Sequence, residues 1–119
     1  MLCHLTLDCY DCDKELLENE GKILEFLDSL PEVVKMKKIS KPFVIVYNSN
    51  DDKWGLSGFV FIAESHISIH SYPEKRFALV DLFSCKEFDS KEAVEYCESF
   101  FKTKNIEKKL EIRGSRVGL

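Results

Sequence analysis

Glu64-Ser65-His66-Ile67-Ser68-Ile69-His70-Ser71-Tyr72-Pro73-Glu74 is the stretch from which the rest of the chain is read. Residues 66–72 read as a strand. His66, Ser68, His70 and Tyr72 then share one face, because side chains alternate along extended backbone. Pro73-Glu74-Lys75-Arg76 turns the chain, and Phe77 to Phe83 makes a further strand. Upstream, residues 56–63 form the preceding strand. Glu64-Ser65 therefore falls where a tight turn joins two antiparallel strands. Phe43-Val44-Ile45-Val46-Tyr47 is a β-branched and aromatic run, hence a strand, and Asn48-Ser49-Asn50-Asp51-Asp52-Lys53 is a turn by composition.

The two ends supply helices. Residues 2–10 read as a strand, and Asp11 or Asp13 caps a following helix. Leu16, Leu17, Ile23, Leu24, Leu27 and Leu30 give that helix an apolar face, Gly21 interrupts it and Pro31 marks its end. Val33 to Ile39 alternates weakly. Asp89 or Ser90 caps a second helix, with Glu92 placed for a capping box. Its buried face is Ala93, Val94, Cys97, Phe100 and Phe101. Residues 106–112 suit a last strand. Residues 2–39 and 77–112 thus share a β-α-β plan, a coarse pseudo-duplication. The expected fold is α+β: a two-layer sandwich, an antiparallel sheet with two helices on one face. Its uncovered sheet face is a natural dimer surface.

At 119 residues the chain is a single domain, 1–119. Its net charge of −4 argues against a nucleic-acid partner, which needs a basic face. No apolar run approaches the roughly 20 residues of a membrane span. The start lacks a signal-peptide pattern, so a cytoplasmic protein is expected. The five cysteines fit that compartment, being odd in number and irregularly spaced. Cys9-Tyr10-Asp11-Cys12 is formally a C-x-x-C. Zinc would need two further ligands at matching spacing, and no metal site is expected. A redox pair between strand and helix is the other reading; two semi-buried structural thiols is the simpler one.

Chemistry concentrates between residues 55 and 85. Two imidazoles on the face of one strand have the pKa range for moving protons near neutral pH, and spacing alone does not choose between His66 and His70. Glu64-Ser65-His66, Ile69-His70-Ser71-Tyr72-Pro73-Glu74, Gly55-Leu56-Ser57-Gly58 and Val80-Asp81-Leu82-Phe83-Ser84-Cys85 together resemble the small prokaryotic S-adenosylmethionine decarboxylases. His4-Leu5, Asp8, Tyr10, Cys12-Asp13 and Arg113-Gly114 extend the resemblance over most of the chain and make Cys12 a family feature.

The resemblance implies a self-processing proenzyme. The chain would be cut between Glu64 and Ser65 into 1–64 and 65–119, and Ser65 would become a covalent pyruvoyl cofactor. His70 would be the processing base, with Ser57 assisting and Cys85 returning a proton to the decarboxylated intermediate. The pyruvoyl group would take the substrate amine as a Schiff base and act as an electron sink. The implied partners are a small-molecule substrate and a second copy of the chain, a dimer of cleaved protomers. The implied role is the supply of an aminopropyl donor for spermidine synthesis.

The chain departs from the family ahead of Gly55. The family carries Phe-His-x-Phe-x-Pro-x-Gly there, and one of its rings, with a tryptophan after the catalytic histidine, sandwiches adenine. Here the segment is Tyr47 to Gly55, and Tyr72 replaces the tryptophan. Tyr72 can still stack, and Trp54 is the candidate second ring. Asp51 and Asp52 take up the neighbourhood of the missing phenylalanine, and Glu74 of Pro-Glu completes the expected substrate-binding set. An acidic rim suits a guanidinium or ammonium group, so pyruvoyl-dependent decarboxylation of arginine or ornithine stays open beside S-adenosylmethionine. A non-catalytic activating paralogue is the third reading, disfavoured by the joint presence of Ser57, Ser65, His70 and Cys85.

Overall fold

The computed structural model describes residues 1–118. Six strands form one antiparallel sheet: β1 (Leu2–Tyr10), β2 (Phe43–Tyr47), β3 (Gly55–Ile62), β4 (Ser65–Tyr72), β5 (Phe77–Ser84) and β6 (Asn105–Arg113). Their order across the sheet is β2-β3-β4-β5-β1-β6. The alternation around Ser65 sets the middle of it. β4 lies between β3 and β5, pairing Ser57 with His70 on one side and Ser68 with Asp81 on the other.

Three helices, α1 (Lys14–Leu17), α2 (Glu20–Val33) and α3 (Ser90–Phe101), cover one face. Leu5, Leu7, Val60, Ile67, Ile69, Val80 and Leu82 point into that layer and are buried with Leu27, Leu30 and Phe101 from the helices. Phe26 joins α2 to α3, its ring 4.8 Å from Phe101 and 5.8 Å from Tyr96. Burying one such side chain is worth about 1.5–3 kcal/mol, so this layer drives folding. The opposite face carries His4, Asp81, Phe59, His66, His70 and Tyr72 and has no helix over it among the described residues.

The expected two-layer α+β sandwich is present, with adjustments. The first helix is two helices, because Asn19 accepts a hydrogen bond from Lys22 N–H at 3.0 Å and caps α2 afresh. Gly21 then sits in a first turn, where it costs little. Pro31 lies inside α2, two residues before its end, where its missing N–H costs the helix one backbone bond. The Lys-rich stretch after α2 makes a single bridge, Lys38 to Ile62, whereas its counterpart after α3 is the full strand β6.

Candidate active site

Ser65 opens β4 after a two-residue turn, Ala63-Glu64. By alternation its side chain lies on the helix-covered side, and it is 8% exposed. Its Oγ accepts a hydrogen bond from Cys85 N–H at 2.9 Å. Cys85 is half-buried, directly after β5. The neighbouring Ser84 hydroxyl accepts from Lys86 N–H at 3.0 Å and donates to Lys86 O at 2.6 Å, which bends the chain away from β5. The bridging segment before β2 braces the turn: Ala63 N–H donates to Lys37 O at 2.9 Å. A shallow cleft of about 270 Å³ here is lined by Glu64, Ser65, His66, Ile39, Phe61 and Phe83, and so meets the uncovered face.

The other end of β4 holds a second cleft, of about 450 Å³. Ser57 and His70 are direct cross-strand neighbours there, and Ser57 Oγ lies 2.9 Å from His70 Nδ1. A hydroxyl at that distance holds the ring's orientation and can serve either tautomer, as donor or as acceptor. Gly55, at the start of β3, lies so close to β4 that an added Cβ would fall 1.8 Å from Ser71 O. Only glycine allows that approach. Ser71 is buried behind it, donating to Leu17 O at 2.8 Å and accepting from Leu56 N–H at 3.3 Å. Tyr72 extends the wall and stacks on Phe77, which stacks in turn on Tyr10.

Ser65, Glu64 and Cys85 therefore come together at one end, and Ser57, His70 and Tyr72 at the other. Five residues of extended strand separate Ser65 from His70, roughly 17 Å. The two side chains also leave the strand on opposite faces. The histidine near Ser65 within one chain is His66. It stacks on Phe59 at 5.2 Å, and burial, with His4 and Arg113 nearby, lowers its pKa below the ordinary 6.5.

Of the residues expected to bind substrate, Asp51 and Tyr72 line the larger cleft. Asp52 pairs with Lys75 at 2.7 Å. Trp54 Nε1 donates to Glu74 Oε1 at 3.4 Å, and Glu74 also holds Lys14 at 3.1 Å. These bonds lower the Glu74 carboxyl below its ordinary range. The sequence reading missed Tyr47, whose exposed ring lines the cleft with Tyr72. Its signal was parity: in β2, residues 43, 45 and 47 share the face of Ser57. Cys9 and Cys12 are fully buried free thiols, both pushed up to about 12, chiefly by burial. At neutral pH they hold their protons and serve as core, not as a redox pair.

This fold with a serine–glutamate turn and a serine–histidine pair has known relatives. Residues 3–114 match the family model described as S-adenosylmethionine decarboxylase. The S-adenosylmethionine decarboxylase proenzyme of Clostridium botulinum (strain Langeland) is 35% identical over 112 residues, covering 93% of this chain and 92% of the relative. That of Fervidobacterium nodosum is 35% identical over 115 residues, covering 93% and 78%. The crystal structure of the adenosylmethionine decarboxylase from Aquifex aeolicus VF5 superposes with a TM-score of 0.77 at 30% identity, over 96% of this chain and 91% of that one. The protein is thus a carboxy-lyase of two-layer α+β build. It belongs to the S-adenosylmethionine decarboxylase family.

Proposed function

We propose that the chain is a self-processing, pyruvoyl-dependent decarboxylase of S-adenosylmethionine, active as a dimer that builds each site from two copies. The observation that carries this reading is the Ser65 hydroxyl, buried after the Glu64 turn and held by the backbone of Cys85. A serine so placed is shielded from water beside the carbonyl it must attack. Its Oγ bonds to the Glu64 carbonyl carbon as the Glu64–Ser65 C–N bond breaks, giving an ester. A base takes the Ser65 α-proton and the ester leaves as the main-chain carboxylate of Glu64, the new C-terminus of 1–64. Hydration of the resulting dehydroalanine and loss of ammonia leave a ketone at the new N-terminus of 65–119.

A pyruvoyl group there supplies a carbonyl that takes up the substrate amine and draws off the electrons released with carbon dioxide. Cys85, adjoining Ser65, is placed to return a proton. His70 is the proposed processing base, oriented by Ser57. It stands too far from Ser65 in its own chain for proton transfer, which needs hydrogen-bond reach. Two copies packed open face to open face, running in opposite directions, bring the His70 end of one against the Ser65 end of the other. The exposed Phe43, Ile45, Tyr47 and Phe61 on that face favour such packing.

Tyr47 and Tyr72 supply flat surfaces for an adenine. Asp51, in the same cleft, supports a second reading in which the substrate is arginine or ornithine and the carboxylate takes its distal cation. The product of the first reading is an aminopropyl donor for spermidine synthesis. No helix among the described residues is long and apolar enough to cross a membrane. We place the enzyme in the cytoplasm, where its free thiols stay reduced. Intact-mass analysis tests processing, with fragments 1–64 and pyruvoyl-blocked 65–119 expected. Carbon dioxide release, measured separately with S-adenosylmethionine, arginine and ornithine, tests the substrate. Recovery of only full-length chain would contradict the mechanism; release from arginine or ornithine alone would replace the substrate.

A further inference from the structure

The larger cleft has one wall that is not sheet. It is the polar connection 48–54 between β2 and β3. A connection of this kind is ordinarily mobile at its tip. Here two cross-links tie it to the 3-10 turn Pro73–Lys75 that follows Tyr72. Asp52 meets Lys75 at 2.7 Å, on one side of Lys53. Trp54 meets Glu74 at 3.4 Å on the other side, and Lys14 anchors Glu74 to α1. Beside these ties, Asp51 accepts from Lys53 N–H at 2.8 Å and lines the cleft. The bond from Lys75 lowers the Asp52 carboxyl below its ordinary range, so the ion pair persists through neutral pH.

We propose that the 48–54 connection is a two-point strap over the substrate cleft, and that Lys75 is a positioning residue that sets substrate affinity through Asp52. The proposal rests on this cleft being the substrate site of the decarboxylase described above. The pair is half-exposed, so its contribution to global stability is small. Its effect is local. A connection already held in the binding geometry loses less freedom when substrate arrives. The expected signature is a change in KM and not in kcat, because Lys75 acts on the wall of the cleft through Asp52 and does not itself line the cleft.

The test compares processed wild-type enzyme with Lys75→Ala and Lys75→Arg. Lys75→Ala should raise KM for S-adenosylmethionine about threefold, the size an exposed ion pair allows, and leave kcat and the extent of self-cleavage unchanged. Lys75→Arg should restore KM. A second readout needs no turnover: brief trypsin treatment, with cutting after Lys53 followed by mass. Lys75→Ala should be cut several-fold faster there than wild type or Lys75→Arg. Equal cutting in all three overturns the strap, whatever turnover shows. Faster cutting with an unchanged KM overturns the positioning role. If wild type does not turn over S-adenosylmethionine, the functional reading fails on its own, and the rate of cutting still decides whether the strap exists.

Discussion

The two ends of β4 are built by opposite rules. At the Ser65 end the chain turns in two residues, the hydroxyl is buried, and the Cys85 N–H at the end of the neighbouring strand holds it. At the His70 end the groups face the uncovered side of the sheet, and the wall beside them is a polar connection. The first end suits chemistry on the chain itself, which needs shielding and fixed backbone. The second suits contact with something that arrives from outside. Neither is a complete site, and roughly 17 Å of strand keeps them apart. The contrast supports the proposal that one copy holds two half-sites and that a second copy completes them.

Changes at the buried end should have the largest effect. Ser65→Ala removes the attacking oxygen and should leave a full-length chain without decarboxylase activity, seen by mass and by carbon dioxide release. At the other end, His70→Ala should slow self-cleavage by about 10²–10⁴-fold, the usual worth of a positioned general base, while the fold by circular dichroism is unchanged. Cys85→Ala should separate the two functions of the buried end: cleavage persists, but decarboxylation is slowed or the product is protonated incorrectly. Wild-type turnover in Cys85→Ala would assign the proton to another group.

Smaller effects sharpen the description of the open end. Gly55→Ala forces a methyl group against Ser71 O and should cost ~1–3 kcal/mol or more in denaturant unfolding. Tyr72→Ala should weaken S-adenosylmethionine by ~1–3 kcal/mol if an adenine stacks there, with stacking on nucleic-acid bases as the guide. The smallest effect concerns His66. Its folded pKa lies below the ordinary 6.5, so the unfolded chain takes up the proton first. Stability contributed by neutral His66 is present above 6.5 and falls as pH drops towards the folded value. The Tm of His66→Gln should fall less steeply with acid over that interval.

The strands were legible because their signal is local. Alternation around His66 to Tyr72 placed β4, and the β-branched run at 43–47 placed β2. The break between α1 and α2 was not, because Asn19 acts as a cap only through a bond to Lys22 N–H, while the leucine pattern runs on across it. Val33 to Ile39 alternates weakly in sequence, and in the structure it pairs once, Lys38 with Ile62. The residues proposed to react could be named one by one from Glu64-Ser65, Ile69-His70 and Ser84-Cys85. Their division between two ends follows from strand length and parity, and a list of motifs in order along the chain does not display it. Trp54, Asp52 and Glu74 were expected to bind substrate, yet their side chains turn to one another and to Lys14 and Lys75. Tyr47 was overlooked because it closes a strand and stands eight residues from Gly55.

The most direct test of a site shared between two copies is complementation. Ser65→Ala and His70→Ala chains, distinguishable by a mass tag, are made separately and together. Alone, neither should be cleaved at the wild-type rate. Together, a mixed dimer holds one complete site: Ser65 from the His70→Ala chain and His70 from the Ser65→Ala chain. The shared-site reading predicts that the His70→Ala chain, and only that chain, becomes cleaved between Glu64 and Ser65. If it stays intact in confirmed mixed dimers, each chain must use its own histidine, and the two ends of β4 do not form one site across copies.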